Sequence, residues 1–178
     1  MIAGFASPAQ AQSCFRGVLL AFSRPGTLVT LETPQPPAGL SPAAAAILLT
    51  LADAATSVNL PASAGEWLKF HTGARPVAPE AADFVVAGPR LAGLQNGTDE
   101  APETGATLMM DAANLSGPKF RLSGPGIETH LEICLPLDGN FLSEWQAQRR
   151  LAPRGVDVLL CAGRDIIGLP RSTNIEAL

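Results

Sequence analysis

The stretch PRGVDVLLCAGRDIIGLPRST, residues 153–173, decides how the rest of the chain is organised. Its run Val156 to Ala162 is apolar on both faces apart from Asp157, the pattern of a strand covered on both sides. The break Gly163-Arg164-Asp165 separates it from a second apolar run, Ile166 to Leu169, at a spacing that suits a hairpin. Pro170 cannot donate to a ladder, so the second strand either lies at an edge or finishes there. Arg171, Ser172 and Thr173 follow as polar groups at the exit.

The helix preceding this stretch reads from Asn140 to Leu151, amphipathic around Phe141, Leu142 and Trp145, with Arg149-Arg150 well placed at its negative C-terminal end. Further upstream, Thr107 to Ala112 reads as a strand. Lys119 to Ser123 alternates polar and apolar, as in a strand with one solvated face, before the tight turn Gly124-Pro125-Gly126. Phe84 to Ala87, Val58 to Leu60 and Thr27 to Leu31 are shorter β-prone runs.

Ser7-Pro8 and Ser41-Pro42 each open a helix with a capping serine and a proline at the first position. The first helix carries Ala11, Cys14, Phe15, Val18, Leu19 and Phe22 at the spacing of one buried stripe. The second, Ala43 to Ala52, is apolar nearly all round. A third, Ser63 to Phe70, delivers His71 and Thr72 onto a turn at Gly73. Strands alternating with helices, plus hairpins near the end, imply an α/β fold: one domain spanning residues 1–178 with a mixed sheet between helical layers.

Composition narrows the function classes. Of 178 residues, 47% are hydrophobic and only 16% charged, so a folded core is assured and part of the surface is expected to be buried against other subunits. A net charge of −4 without any dense basic run argues against nucleic acid as partner. No apolar run is long enough for a membrane span, and Ala9-Gln10-Ala11 lacks the basic and apolar regions of a signal peptide. Cys14, Cys134 and Cys161 show no metal-binding spacing and read as buried, reduced thiols, which suits the cytoplasm.

No nucleophile elbow, Walker A loop or zinc motif is present, so the candidate site residues are individual ones. Arg16, off the helix stripe, is either solvated or meets an anion or a subunit. Asp53, read in a last helical turn that it opposes electrostatically, either caps the turn into Thr56 or holds a partner or ligand. His71 is either held by a structural hydrogen bond, in contact with phosphate, or an acid/base. Glu103, in the acidic Gly/Pro-rich loop 97–105, is a base, a ligand of nucleotide-bound magnesium, or a solvated carboxylate. Gly124 and Gly126 either form a plain turn or aim N–H groups at a phosphate, with Pro125 removing one donor. Arg171, Ser172 and Thr173 either bind phosphate, fix the C-terminus or meet a subunit.

Several stretches, in order, together resemble the PhnH family of the bacterial carbon–phosphorus lyase system. They are Gln12-Ser13-Cys14-Phe15-Arg16 with Ser23-Arg24-Pro25-Gly26, Leu48 to Asp53, and Phe70-His71-Thr72. Gly97-Thr98 through Ala101 to Thr107, Leu122 to Ile127, and the whole 153–173 stretch complete the set. The resemblance implies a truncated relative of the pyridoxal-phosphate-dependent transferase fold without the cofactor. Pyridoxal phosphate is not expected on the residues either. The two lysines are Lys69, on a short helix beside Trp67 and Phe70, and Lys119, which opens a strand, and neither precedes a phosphate-binding glycine turn.

The resemblance further implies an accessory subunit acting with PhnG, PhnI and PhnJ. That assembly forms ribose 1-methylphosphonate 5-triphosphate from ATP and a phosphonate, releasing adenine. The radical cluster belongs to PhnJ and nucleoside cleavage chiefly to PhnI. In isolation the family implies a homodimer.

Overall fold

A computed structural model describes residues 2–178. The 153–173 stretch forms β8 (Asp157–Ala162) and β9 (Asp165–Leu169), an antiparallel hairpin turning at Gly163-Arg164. The turn is one residue tighter than the break suggests, with Gly163 at φ 58°. β9 finishes at Leu169, immediately before Pro170, and it is not at an edge. β1 (Leu28–Thr30) pairs on its other side, antiparallel.

The remaining strands of the main sheet are β2 (Ser57–Asn59), β3 (Arg75–Pro76), β4 (Phe84–Ala87) and β5 (Thr107–Asp111). The order across the seven strands is β1-β9-β8-β5-β4-β2-β3, and the five from β8 to β3 are parallel. Burial on both faces shows in the side chains. Met109, Leu159, Cys161 and Ile166 join one core cluster, while Leu108, Met110, Val158, Leu160 and Leu169 join the other. Such period-two division is what a continuous apolar run becomes when both faces are covered.

The first face is covered by α1 (Pro8–Ser23), α2 (Pro42–Leu51) and α3 (Ala62–Thr72). In α2 every residue from Ala43 to Leu48 is fully buried, because α1 and α3 flank it and the sheet lies beneath. Helix α1 sits close upon β9. A Cβ built at Gly168 would lie 2.5 Å from the Ala21 carbonyl oxygen, so only glycine admits this approach.

The second face departs from an all-helical layer. It carries α4 (Gly139–Arg149) together with an antiparallel three-stranded sheet, ordered β10-β6-β7, of β6 (Lys119–Ser123), β7 (Leu131–Cys134) and β10 (Asn174–Ala177). Phe120, Leu122 and Ile175 point inward from that sheet. Lys119, Arg121 and Glu132 face outward, joined by ion pairs of 2.6 Å (Lys119–Glu132) and 3.3 Å (Arg121–Glu132). Cys134 shares the outward face and is exposed, so only Cys14 and Cys161 fit the expectation of buried thiols. Burial raises the thiol pKa of both, that of Cys161 well above its usual value.

A second correction concerns α1. Of the expected stripe Cys14 and Val18 are buried and Ala11 and Phe22 half-buried, but Phe15 and Leu19 are exposed, and Ala21 completes the buried side instead.

Caps fix the helix ends. The Ser41 hydroxyl accepts from Ala44 N at 3.1 Å and also donates to Asp111 at the end of β5. Ser41→Ala is therefore expected to lose about 1 kcal/mol or somewhat more, read as a lower urea midpoint with an unchanged slope. At α4, Asp138 accepts from Phe141 N at 2.7 Å. Ser7 is the α1 N-cap by backbone conformation but makes no capping side-chain bond.

Candidate functional site

Asp157 opens β8 and Arg171 follows β9, so the hairpin register brings the one polar residue of the core strand beside the exit arginine. The guanidinium grips the carboxylate through Nη2 at 2.6 Å and Nε at 3.1 Å to each oxygen. The Arg171 backbone N–H adds a bond of 2.7 Å to Oδ1. Nη1 donates to the Pro102 carbonyl at 2.6 Å, which fastens the acidic loop to the hairpin. Both side chains are largely buried, 18% and 25% exposed.

Around this pair the backbone packs tightly. A Cβ at Gly105 would lie 2.3 Å from the Gly155 carbonyl and 2.8 Å from Arg171 Nη1. Gln148 of α4 completes the knot. Its side chain is buried, accepts from Val156 N at 2.8 Å and donates to Val156 O at 3.1 Å, as a neighbouring strand would. The bidentate face of Arg171 is thus committed to Asp157 and is not presented to a phosphate.

Of the neighbouring candidates, Thr173 and the two turn glycines are fixed through their backbone. Thr173 is fully buried; its N–H donates to Pro170 O at 2.8 Å and its carbonyl accepts from Trp145 Nε1 at 2.9 Å. Ser172 is exposed beside it. Gly124 and Gly126 take φ values of 125° and 86°. Added Cβ atoms there would meet Ser172 O at 3.1 Å and Ser23 O at 2.4 Å, so the turn is wedged between the β10 entry and the end of α1. Glu103 lies exposed in a 3-10 turn, Pro102–Thr104, with no partner among the described residues. The loop around it is tied down by Arg171 and by an Asp99–Arg154 ion pair of 3.0 Å.

The other candidates lie elsewhere. His71 Nε2 donates to the Ile2 carbonyl at 3.1 Å, and Trp67 Nε1 donates to the same oxygen at 3.0 Å. The imidazole is further held edge-on by Trp67 and Phe70 at centroid separations of 5.2 and 5.1 Å. Thr72 back-bonds to Leu68 O at 2.9 Å and accepts from Ala74 N at 3.1 Å, closing α3. α3 leads into β3, whereas Arg171 follows β9. Five strand spacings separate those strands, about 24 Å at ~4.8 Å each. His71 and Arg171 therefore do not form one site.

Asp53 lies beyond the end of α2 at Leu51, so it does not oppose that helix from within. Its carboxylate accepts from Ala55 N at 2.9 Å, Thr56 N at 3.1 Å and the Thr56 hydroxyl at 2.9 Å. The Thr56 bond, then that of Ala55, lowers its pKa below the ordinary aspartate value. A lowered folded pKa gives stability that is present above the unfolded pKa and lost as pH falls through the folded one. The stability advantage of the wild type over Asp53→Asn is thus expected to be constant near neutrality and to shrink below about pH 4, read by urea unfolding across pH. Arg16 is exposed on α1 without a bonded partner among the described residues.

At the carboxyl ends of the parallel strands, where open α/β sheets usually take ligands, Asp111 accepts from Ser41 N at 2.9 Å and from its hydroxyl. Ala43 N donates to Gly163 O at 2.9 Å at the same end. The start of α2 therefore fills the space between β5 and β8. A cleft of about 350 Å³ opens instead between α4 and the loop after β4, lined by Leu91, Ala92, Asn96, Glu144 and Leu151. Glu144 is already spoken for by Leu91 N at 2.5 Å, Ala92 N at 3.0 Å and Arg90 at 3.2 Å. Glu144 and Gln148 escaped the reading of the sequence; their only signal was a polar residue directly before Trp145 and another three positions after it. Among the described residues no cluster of His, Cys, Asp and Glu is placed to hold a metal ion. No helix among them is long and apolar enough to cross a membrane. Lys119 is paired with Glu132 on the outer face of the small sheet, and Lys69 is exposed on α3.

A family model described as the bacterial phosphonate metabolism protein PhnH matches residues 3–176. The chain belongs to the PhnH family. One relative is the alpha-D-ribose 1-methylphosphonate 5-triphosphate synthase subunit PhnH of Rhizobium meliloti (strain 1021). It is 38% identical over 188 aligned positions, covering 97% of this chain and 94% of the relative. Another, HtxG of Stutzerimonas stutzeri, carries the name of a C-P lyase subunit protein and is 36% identical over 182 positions, covering 93% and 85%. The PhnH match runs from before α1 into β10 and so takes in the small sheet.

Proposed function

We propose that this chain is a non-catalytic, structural subunit of a carbon–phosphorus lyase core complex, required with PhnG, PhnI and PhnJ. The complex would form ribose 1-methylphosphonate 5-triphosphate from ATP and a phosphonate during phosphonate catabolism in the cytoplasm. The observation that carries the reading is full-length likeness to a protein named as a subunit of that synthase. The side chains support it. Arg171, Asp53, His71 and Thr72 each spend side-chain bonding groups on the fold itself. We also read the main sheet as that of a transferase ancestor without its pyridoxal phosphate, and the free chain as a homodimer.

Co-expression with the other three subunits tests the assignment. In native mass spectrometry the chain is expected in a stoichiometric complex; a chain that stays apart from all three would overturn it. Calorimetry tests the structural role. Saturable binding of ATP or methylphosphonate by the isolated chain would replace scaffolding with a direct part in the transfer.

A further inference from the structure

We propose that the outward face of α1 docks on a different polypeptide of the same assembly, one presenting an apolar surface with a carboxylate at its centre. This inference rests on the subunit reading above and adds the surface and the chemistry of its partner.

Helix geometry defines the face. Cys14, Val18 and Ala21 mark the buried side of α1. At about 100° per residue, Phe15 and Leu19 lie about 100° and 140° round from Cys14, and Leu20 lies about 120° round in the opposite sense. Their exposures are 49%, 58% and 41%. Arg16 projects from between Leu19 and Leu20, so one cation is bracketed by three large apolar side chains. It is the only charged residue from Pro8 to Ser23, and no acidic group answers it within the described residues.

Water solvates an isolated arginine well, but three solvated Phe and Leu side chains around it gain nothing from exposure. Arginine beside aromatic and aliphatic anchors is the composition of an interface centre rather than of a free surface. Helix formation does not require these residues on the outer face, since the proline start and the buried side of α1 are independent of them.

Charge decides the occupant. In a two-fold pairing of α1 with a second copy, centred between Phe15 and Leu19, Arg16 lies within about one 1.5 Å helical rise of the axis. Two guanidiniums would then meet in a desolvated contact with no acid on either helix, which is repulsive. A different chain with a carboxylate at that point converts the same cation into a charge-assisted pair within an apolar ring.

The test uses co-expressed complex purified through a tag on another core subunit. Leu19→Glu and Arg16→Glu are each expected to reduce the amount of this chain retained at least tenfold. The circular dichroism and thermal midpoint of the isolated variants should remain those of the wild type. Retention of Arg16→Lys should be intermediate and more salt-sensitive, and Phe70→Asp, exposed on α3, should be retained normally. Normal retention of both Leu19→Glu and Arg16→Glu would overturn the proposal. So would loss of self-association in the isolated Leu19→Glu chain with the complex intact, which assigns the face to a second copy. Failure of the wild type itself to co-purify removes the subunit reading, and this surface with it.

Discussion

Asp157→Ala is expected to cost about 3–4 kcal/mol of folding stability, the larger of the two effects at the hairpin exit. Removing the carboxylate leaves a guanidinium that is only 18% exposed with the Pro102 carbonyl as its remaining partner, and it strips the Arg171 backbone N–H of its acceptor. Arg171→Ala should cost less, about 2–3 kcal/mol, because a lone carboxylate 25% exposed can recruit water. The double variant is expected to be less destabilised than the sum of the singles, since each single strands the other's charge. Urea unfolding of the three variants measures the coupling. Additive losses would mean that the pair does not act as a unit. The arginine variant also frees Pro102 O, so amide exchange across residues 97–105 should quicken while the strands of the main sheet stay protected. Such a variant that folds, assembles and yet abolishes the pathway would return Arg171 to the reaction.

That pair shows how far the sequence could be read. A polar residue inside an apolar run and an arginine just past the next run were both visible, and so was the hairpin that joins them. What linear reading could not supply was the sign of the consequence, because the pattern fits a phosphate site and a structural clasp equally. Only the register, which sets Val158 opposite Leu169 and so Asp157 next to Arg171, decides for the clasp. The elements with strong local signals were legible for the same reason: caps and proline starts at Ser41-Pro42, an αL glycine at Gly73, and long apolar strands. Of the small sheet only β6, Lys119–Ser123, was. β7 and β10 are only four residues each, β10 half polar, and both owe their conformation to β6 between them rather than to any propensity of their own. His71 was equally opaque, since its acceptor is a backbone carbonyl at Ile2, and backbone groups leave no trace in a side-chain pattern. The excess width of the α1 stripe could be seen, but an apolar residue facing the sheet and one facing a missing partner look alike in sequence.

Trp145→Ala should unfold the second face of the molecule, with a loss of about 4–5 kcal/mol. Trp145 is fully buried in α4 and stacks on Phe141 at 5.7 Å with an interplanar angle of 21°. Its indole N–H binds Thr173 O, at the point where the chain leaves the main sheet for β10. Truncation therefore removes core volume, an aromatic pair and the only link of that carbonyl to α4 at once. Trp145→Phe separates these contributions, for it keeps most of the volume and the stacking while losing the donor. It is expected to cost about 1–2 kcal/mol, with the loss concentrated in faster exchange at Asn174 to Ala177. A phenylalanine variant as unstable as the alanine one would show that the hydrogen bond, not the packing, holds α4 to the strand exit. Because α1 to α3 pack on the opposite face, both variants should leave exchange within α2 nearly unchanged below the global transition. If α2 loosens as much as α4, the two faces of the sheet form one cooperative unit, and damage beside the hairpin would then reach the outward face of α1 as well.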